Sequence, residues 1–156
     1  SADLVSDLLA TDLNPDAVKL LMSNLSKWDR RTYPEGAIEL QRIHENRLVG
    51  MANALTLCDN SEIAGKWDLV LVNLPHRTIE FLPAIIPLVD RTSPSMIRGR
   101  VIVEESEIEQ ANQTIRAILP DLIPDKPQPS LKIKRDYSAS LRLCSFEAWI
   151  RQEETN

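Results

Sequence analysis

Apolar residues alternate along the chain between helix-like and strand-like spacing. Leu8-Leu9-Ala10-Thr11, closed by Asp12, predicts a short buried strand. Asn14-Pro15-Asp16 follows with helix-start chemistry: a capping amide, a proline suited to the first helical position, and an acid at the positive end of the dipole. Val18, Leu21, Leu25 and Trp28 then recur at spacings of 3, 4 and 3, one face of a helix. Tyr33-Pro34-Glu35-Gly36 predicts a turn. Residues 38–49 hold weak strand pieces, diluted by Gln41-Arg42 and His44-Glu45-Asn46, and residues 52–57 predict a short helix.

The clearest strand is residues 67–72, whose Leu69-Val70-Leu71-Val72 run predicts burial on both faces, as in a parallel sheet. Ile79, Leu82, Ile86 and Val89 are helix-spaced, but Pro83 and Pro87 predict a kink or two short turns. Residues 98–104 read as a strand, and Ser106 with Glu109 as a capping box for a helix with Ile108, Ala111, Ile115 and Ile118 on one face. The proline-rich stretch 120–129 is a loop. Residues 131–137 and 141–150 form two strands joined by Ser138-Ala139-Ser140, an antiparallel hairpin with Cys144, Phe146, Ala148 and Ile150 on one face. Strand–helix alternation followed by a strand pair predicts an α/β fold: a mostly parallel sheet covered by helices, with an antiparallel C-terminal pair.

Composition narrows the classes. At 156 residues the chain is one domain's worth, expected over 1–151 with a frayed polar tail at 152–156. No uncharged apolar run reaches 18 residues, so no membrane span is expected, and the stretch Ser1 to Leu9 carries Asp3 and Asp7 rather than a signal peptide's basic leader. Two cysteines and two histidines without a CxxC offer neither a disulfide framework nor a metal-ligand pattern, which points to a reducing, cytoplasmic setting and no metal. The net charge of −5 argues against non-specific nucleic-acid binding, while leaving RNA as a substrate held mainly elsewhere.

In an open α/β sheet, ligands bind beyond the carboxyl ends of the strands, and two such ends carry candidate chemistry. An acid just after a buried strand, as in Asp12-Leu13-Asn14, is able to accept both hydroxyls of a nucleoside ribose; the plainer reading is a strand end and a helix cap. Asn73-Leu74-Pro75-His76 projects an amide and a rigid backbone carbonyl suited to orienting a planar nitrogenous base; the plainer reading is a proline turn. His76 is either a proton acceptor or a turn residue facing solvent. Lys132, Lys134 and Arg135 form a small basic stripe, read either as a phosphate contact or as a solvated strand face.

These segments carry a family resemblance. Asp12-Leu13-Asn14-Pro15-Asp16-Ala17-Val18, with Asn24, is similar to the second motif of class I S-adenosylmethionine-dependent methyltransferases acting on nucleic acid. Residues 66–76, with Trp67-Asp68 leading into Asn73-Leu74-Pro75-His76 and then Glu80-Phe81-Leu82, resemble the fourth motif region of the tRNA guanine-37 N1-methyltransferases. Lys134-Arg135-Asp136-Tyr137-Ser138 looks like that family's C-terminal strand. The resemblance implies a Rossmann-like sheet, S-adenosylmethionine as cofactor, and methyl transfer to N1 of a guanine in tRNA. It implies that Asp12, Leu13 and Asn14 hold the cofactor ribose. Met51, Ala52 and Asn53 would pass the adenine, and Asn73 and Pro75 would line the methyl-transfer crevice, Asn73 also beside the cofactor.

The chain departs from that pattern in three respects. It has four glycines, Gly36, Gly50, Gly65 and Gly99, and none forms the family's glycine-rich first motif. Met51 follows Gly50 where the family has an acid. The family's upstream RNA-binding portion is also missing. The expected sheet is thus incomplete, lacking a strand between those ending at Asp12 and Asn73, and strand exchange, a homodimer or another segment is expected to fill it. Two alternatives stand beside the methyltransferase: a non-catalytic module of the same fold serving assembly or binding, and a tRNA enzyme transferring the cofactor's aminocarboxypropyl group.

Overall fold

Strand β1 (Leu8–Asp12) runs into helix α1 (Pro15–Asp29), and β2 (Gln41–His44) and β3 (Arg47–Met51) complete a three-stranded sheet in the order β1-β3-β2. The computed structural model describes residues 5–154. These strands and α1 make up the first of two compact units, Ser1–Thr56, and the second is Leu57–Asn156. The stretch from Ser1 to Leu4 and the last tail residues, Thr155 and Asn156, lie outside the described residues.

In the first unit β1 pairs in parallel with β3, from Leu8 opposite Arg47 to Asp12 opposite Met51, and β2 pairs antiparallel with β3. The weak strand pieces expected over 38–49 are there, as the β2–β3 hairpin. Asn14 caps α1 as expected, its Oδ1 accepting from the Asp16 N–H at 2.9 Å. Val18, Met22 and Leu25 face the core with Val49, whereas Trp28 is 59% exposed. The expected face therefore holds for three of four positions: Leu21 is half-buried, but Trp28 lies about 80° round the helix from Val18 and clears the sheet.

Tyr33 does not sit in a turn. It lies in an irregular connection, buried at 6% exposure, and its hydroxyl donates to Asp29 Oδ2 at 2.7 Å. The same carboxylate takes Arg47 Nε at 2.8 Å and Nη2 at 3.0 Å, and Arg47 Nη1 donates to the Ser6 and Asn46 carbonyls. Each buried charge is thus matched and its remaining hydrogen-bond capacity used. The Arg47 guanidinium, and then the Tyr33 hydroxyl, hold the Asp29 carboxyl below its ordinary range against the opposing effect of burial.

The second unit opens with a 3-10 turn (Leu57–Asp59) in place of the helix expected over 52–57. Strand β4 (Leu69–Val72), helix α2 (Thr78–Ile85), strand β5 (Ser95–Glu104), helix α3 (Ile108–Ile118) and strands β6 (Lys132–Asp136) and β7 (Leu141–Ile150) follow. The sheet order is β4-β5-β7-β6, with β4 parallel to β5 and both other ladders antiparallel. Helix α2 runs through Pro83 and gives way to a 3-10 turn (Ile86–Leu88) around Pro87, the predicted break. Ser106 caps nothing: Glu105–Glu107 winds as a 3-10 turn and pushes the start of α3 to Ile108, with no side-chain cap.

Along β7, Cys144, Phe146, Ala148 and Ile150 are all buried, as their alternation predicts. A Cβ on Gly99 would come within 2.5 Å of the Phe146 ring, so glycine is what lets that ring lie flat across β5. Burial pushes the Cys144 thiol above its ordinary range, which suits a packing role. The opposite face bears Leu71 beside Arg98, and Arg98 pairs with Glu147 at 2.5 Å. Leu69 and Leu71 are 51% and 64% exposed, so β4 is not covered on both faces as expected. One edge of β1 and one edge of β4 have no strand partner among the described residues. The tail is tied where it begins: Arg151 N–H donates to the Asp121 carbonyl and Gln152 N–H to that of Arg91.

Candidate functional site

Because β1 and β3 run in parallel, their carboxyl ends emerge together, which joins two of the predicted clusters. Asp12 stands opposite Met51, and the Ala52 N–H donates to the Asp12 carbonyl at 3.2 Å. Asp12, Leu13 and Asn14 thus lie beside Met51, Ala52 and Asn53 at one end of the first sheet. Gly50 makes this crowding feasible: its φ is 146°, and a Cβ there would sit 2.5 Å from the Glu39 backbone, where residues 38–40 bond with Met51.

The side chains divide between structural and open roles. Asp12 Oδ1 accepts from the Asn14 N–H at 2.8 Å, so the plainer reading of Asp12 as a turn former holds for one oxygen. Oδ2 makes no hydrogen bond among the described residues. Asn53 Oδ1 accepts from the Leu55 N–H at 3.0 Å, and its carbonyl takes the Thr56 N–H and hydroxyl. Leu13 is 69% exposed, an apolar side chain on the open end of the sheet.

Asn73 and Pro75 belong to the second unit, at the carboxyl end of β4. Two carbonyls of the turn are engaged: Leu74 O accepts the Arg77 N–H at 2.7 Å and the Thr78 hydroxyl at 2.9 Å, and Pro75 O accepts the Ile102 N–H at 2.8 Å. These bonds lock the turn onto α2 and β5. The Asn73 carboxamide is exposed and makes no hydrogen bond among the described residues. His76 does not face solvent alone. Its Nε2 lies 3.3 Å from the Tyr137 hydroxyl, and the two rings meet edge to face at 5.6 Å. That partnership spans 61 residues, and no local signal in the sequence announces it.

No family profile matches the sequence, and no curated protein does. Among solved structures, the chain is similar to M. jannaschii TYW2 in complex with AdoMet, with a TM-score of 0.68 and 16% identity over 94% of this chain and 59% of that one. It is also similar to Trm5b from Pyrococcus abyssi, with a TM-score of 0.63 and 19% identity over 94% of this chain and 38% of that one. The chain therefore spans less than two thirds of either structure. At these identities the likeness concerns architecture alone, and the chain has a Rossmann-like α/β fold.

Proposed function

We propose that the chain is part of an S-adenosylmethionine-dependent tRNA methyltransferase acting on N1 of guanine 37. The observation that carries the reading is the meeting of Asp12 with Met51, Ala52 and Asn53 at one sheet end, in a fold like that of a protein solved with AdoMet. The residues fit an adenosine. The unengaged oxygen of Asp12 accepts ribose hydroxyls, Leu13 and Met51 offer apolar contact to the base, and the Asn14 side chain fixes the loop through its cap. The cofactor supplies an electrophilic methyl group. The Asn73 carboxamide, left unpaired on a locked turn, orients the base by hydrogen bonding, and Pro75 stiffens that turn.

The reading extends to partners and setting. No helix among the described residues is long and apolar enough to cross a membrane. tRNA is the substrate, held largely by other parts of the protein, in a cytoplasmic setting. A Leu-Val-Leu-Val strand with no edge-blocking charge or proline supports a further strand on the open edge of β4, supplied by strand exchange, a second copy or another segment.

Calorimetric titration with S-adenosylmethionine tests the reading. Micromolar binding to the wild type, lost in Asp12→Ala, is the expected result, and absence of binding to the protein with its full sheet overturns it. Mass analysis of treated tRNA separates a methyl from an aminocarboxypropyl product. Cofactor binding without modification of any tRNA would favour the non-catalytic module.

A further inference from the structure

The β6–β7 hairpin carries a large aromatic side chain that stands half in solvent near the Asn73 turn. Tyr137 is 50% exposed, yet it is not loose. Its hydroxyl meets His76 Nε2 at 3.3 Å and the two rings stand T-shaped, which holds the tyrosine in place while half of the residue stays open to solvent. The hairpin tip is held at several points. Tyr137 and Ser138 N–H groups both donate to Leu141 O, at 2.9 and 3.2 Å, and Glu105 N–H donates to Ser140 O at 3.0 Å. Arg142 donates to Ser138 O and pairs with Glu105 at 2.6 Å and Asp136 at 3.3 Å.

Charge supplies a second, independent observation. In a chain of net charge −5, β6 reads Lys132-Ile133-Lys134-Arg135-Asp136, entirely exposed, and leads straight into Tyr137. Lys132, Lys134 and Arg135 make no ion pair among the described residues, whereas Asp136 is taken up by Arg142. An aromatic face beside unpaired cations is the composition that takes a nucleotide, base on ring and phosphate on charge. The Asn73 carboxamide lies on the turn that also holds His76, so hydrogen-bonding capacity accompanies the stacking surface.

We propose that Tyr137, braced by His76, is a stacking platform for a purine of single-stranded RNA, with Lys132, Lys134 and Arg135 taking the adjoining phosphates. This deepens the methyltransferase reading by naming a substrate-positioning surface, and it lies wholly within the second unit. The ring sets the plane of the base, and the hairpin's hydrogen bonds keep that plane fixed before the RNA arrives.

The test is an NMR titration of the isotope-labelled chain with a short single-stranded RNA containing one guanine. Shifts are expected at Tyr137, His76, Asn73 and the β6 amides. Tyr137→Ala should weaken binding about tenfold or more, while Tyr137→Phe, which keeps the ring, should stay within about threefold of wild type. Lys134→Ala with Arg135→Ala should flatten the dependence of affinity on salt. Equal binding by wild type and Tyr137→Ala, with an unchanged hairpin spectrum, would overturn the platform, as would shifts confined to other surfaces. Cofactor titration of the same samples keeps the two ideas apart. RNA shifts at Tyr137 with no cofactor binding even to the protein bearing its full sheet would sink the enzyme reading alone, and cofactor binding without those shifts would sink the platform alone.

Discussion

At the scale of single residues, the Asp29–Arg47–Tyr33 cluster has the clearest energetic consequence. Asp29 titrates below its ordinary value in the folded chain, chiefly because Arg47 hydrogen-bonds it. A depressed folded-state value means the carboxylate stabilises the fold above the unfolded value of about 3.9, and that this is lost as pH falls through the lower folded value. Asp29→Asn should therefore cost about 3 kcal/mol at neutral pH, with Arg47 left buried and uncompensated. Urea denaturation at pH 7 and pH 3 checks this, and the gap between wild type and variant should narrow at the lower pH. Asp12 offers a sharper separation. Asp12→Asn keeps an oxygen for the Asn14 N–H but removes the charge. It should leave the melting temperature within a few degrees of wild type while abolishing S-adenosylmethionine binding by calorimetry. Joint loss of both would show that the carboxylate is structural. These two residues differ in legibility. Asp12 was readable as the end of a strand, because a polar residue closing an apolar run is a local signal. Asp29 and Arg47 look like ordinary surface charges until the chain places them 18 residues apart in sequence and 2.8 Å apart in space.

Elements were legible where one period dominated. In β7, strict alternation matched a strand with one covered face, and the structure buries all four predicted positions. Strand β2 was obscured because Gln41 and Arg42 are polar and exposed, as befits the outer strand of its sheet, and its partner β3 supplies the pairing that propensity does not. The apparent capping box at Ser106 failed for a local reason, since three residues of 3-10 turn absorb the positions a cap would use. Close approaches between elements are invisible to periodicity and yet decisive. Gly99→Ala drives a methyl into the Phe146 ring and should destabilise the second unit by about 1–3 kcal/mol, with Phe146→Leu recovering part of the loss in the double variant. Gly50→Ala meets backbone rather than a side chain, at a φ that alanine disfavours, and no second-site change should rescue it. Thermal melts of the four variants would check both statements.

At the scale of the molecule, the fold class was readable from the order of elements, and the likeness to larger solved structures agrees with it. What the order could not convey is which strands stand at the rims. Leu69 and Leu71 look like interior residues, and they are more than half exposed. If another strand docks on β4, the amides of β4 that point away from β5 should exchange with solvent readily in this chain. They should become protected in an assembly that supplies the strand. Hydrogen exchange read by mass spectrometry over residues 69–72 follows this directly, and unchanged exchange on assembly would exclude strand addition at that edge.

The sheet order of the second unit also bears on how the polypeptide is born. The strand synthesised last, β7, lies inside the sheet, paired with β5 across ten positions and with β6 on its other side. While the ribosome still covers residues 141–150, β5 and β6 have no common partner, and the edge of β5 that β7 will fill stays unpaired. Strand β5 emerges tens of residues before β7, and β6 only just before it, at roughly 5–20 residues per second. A nascent chain of this design therefore carries β5 with an unpaired edge for seconds, until β7 emerges to fill it.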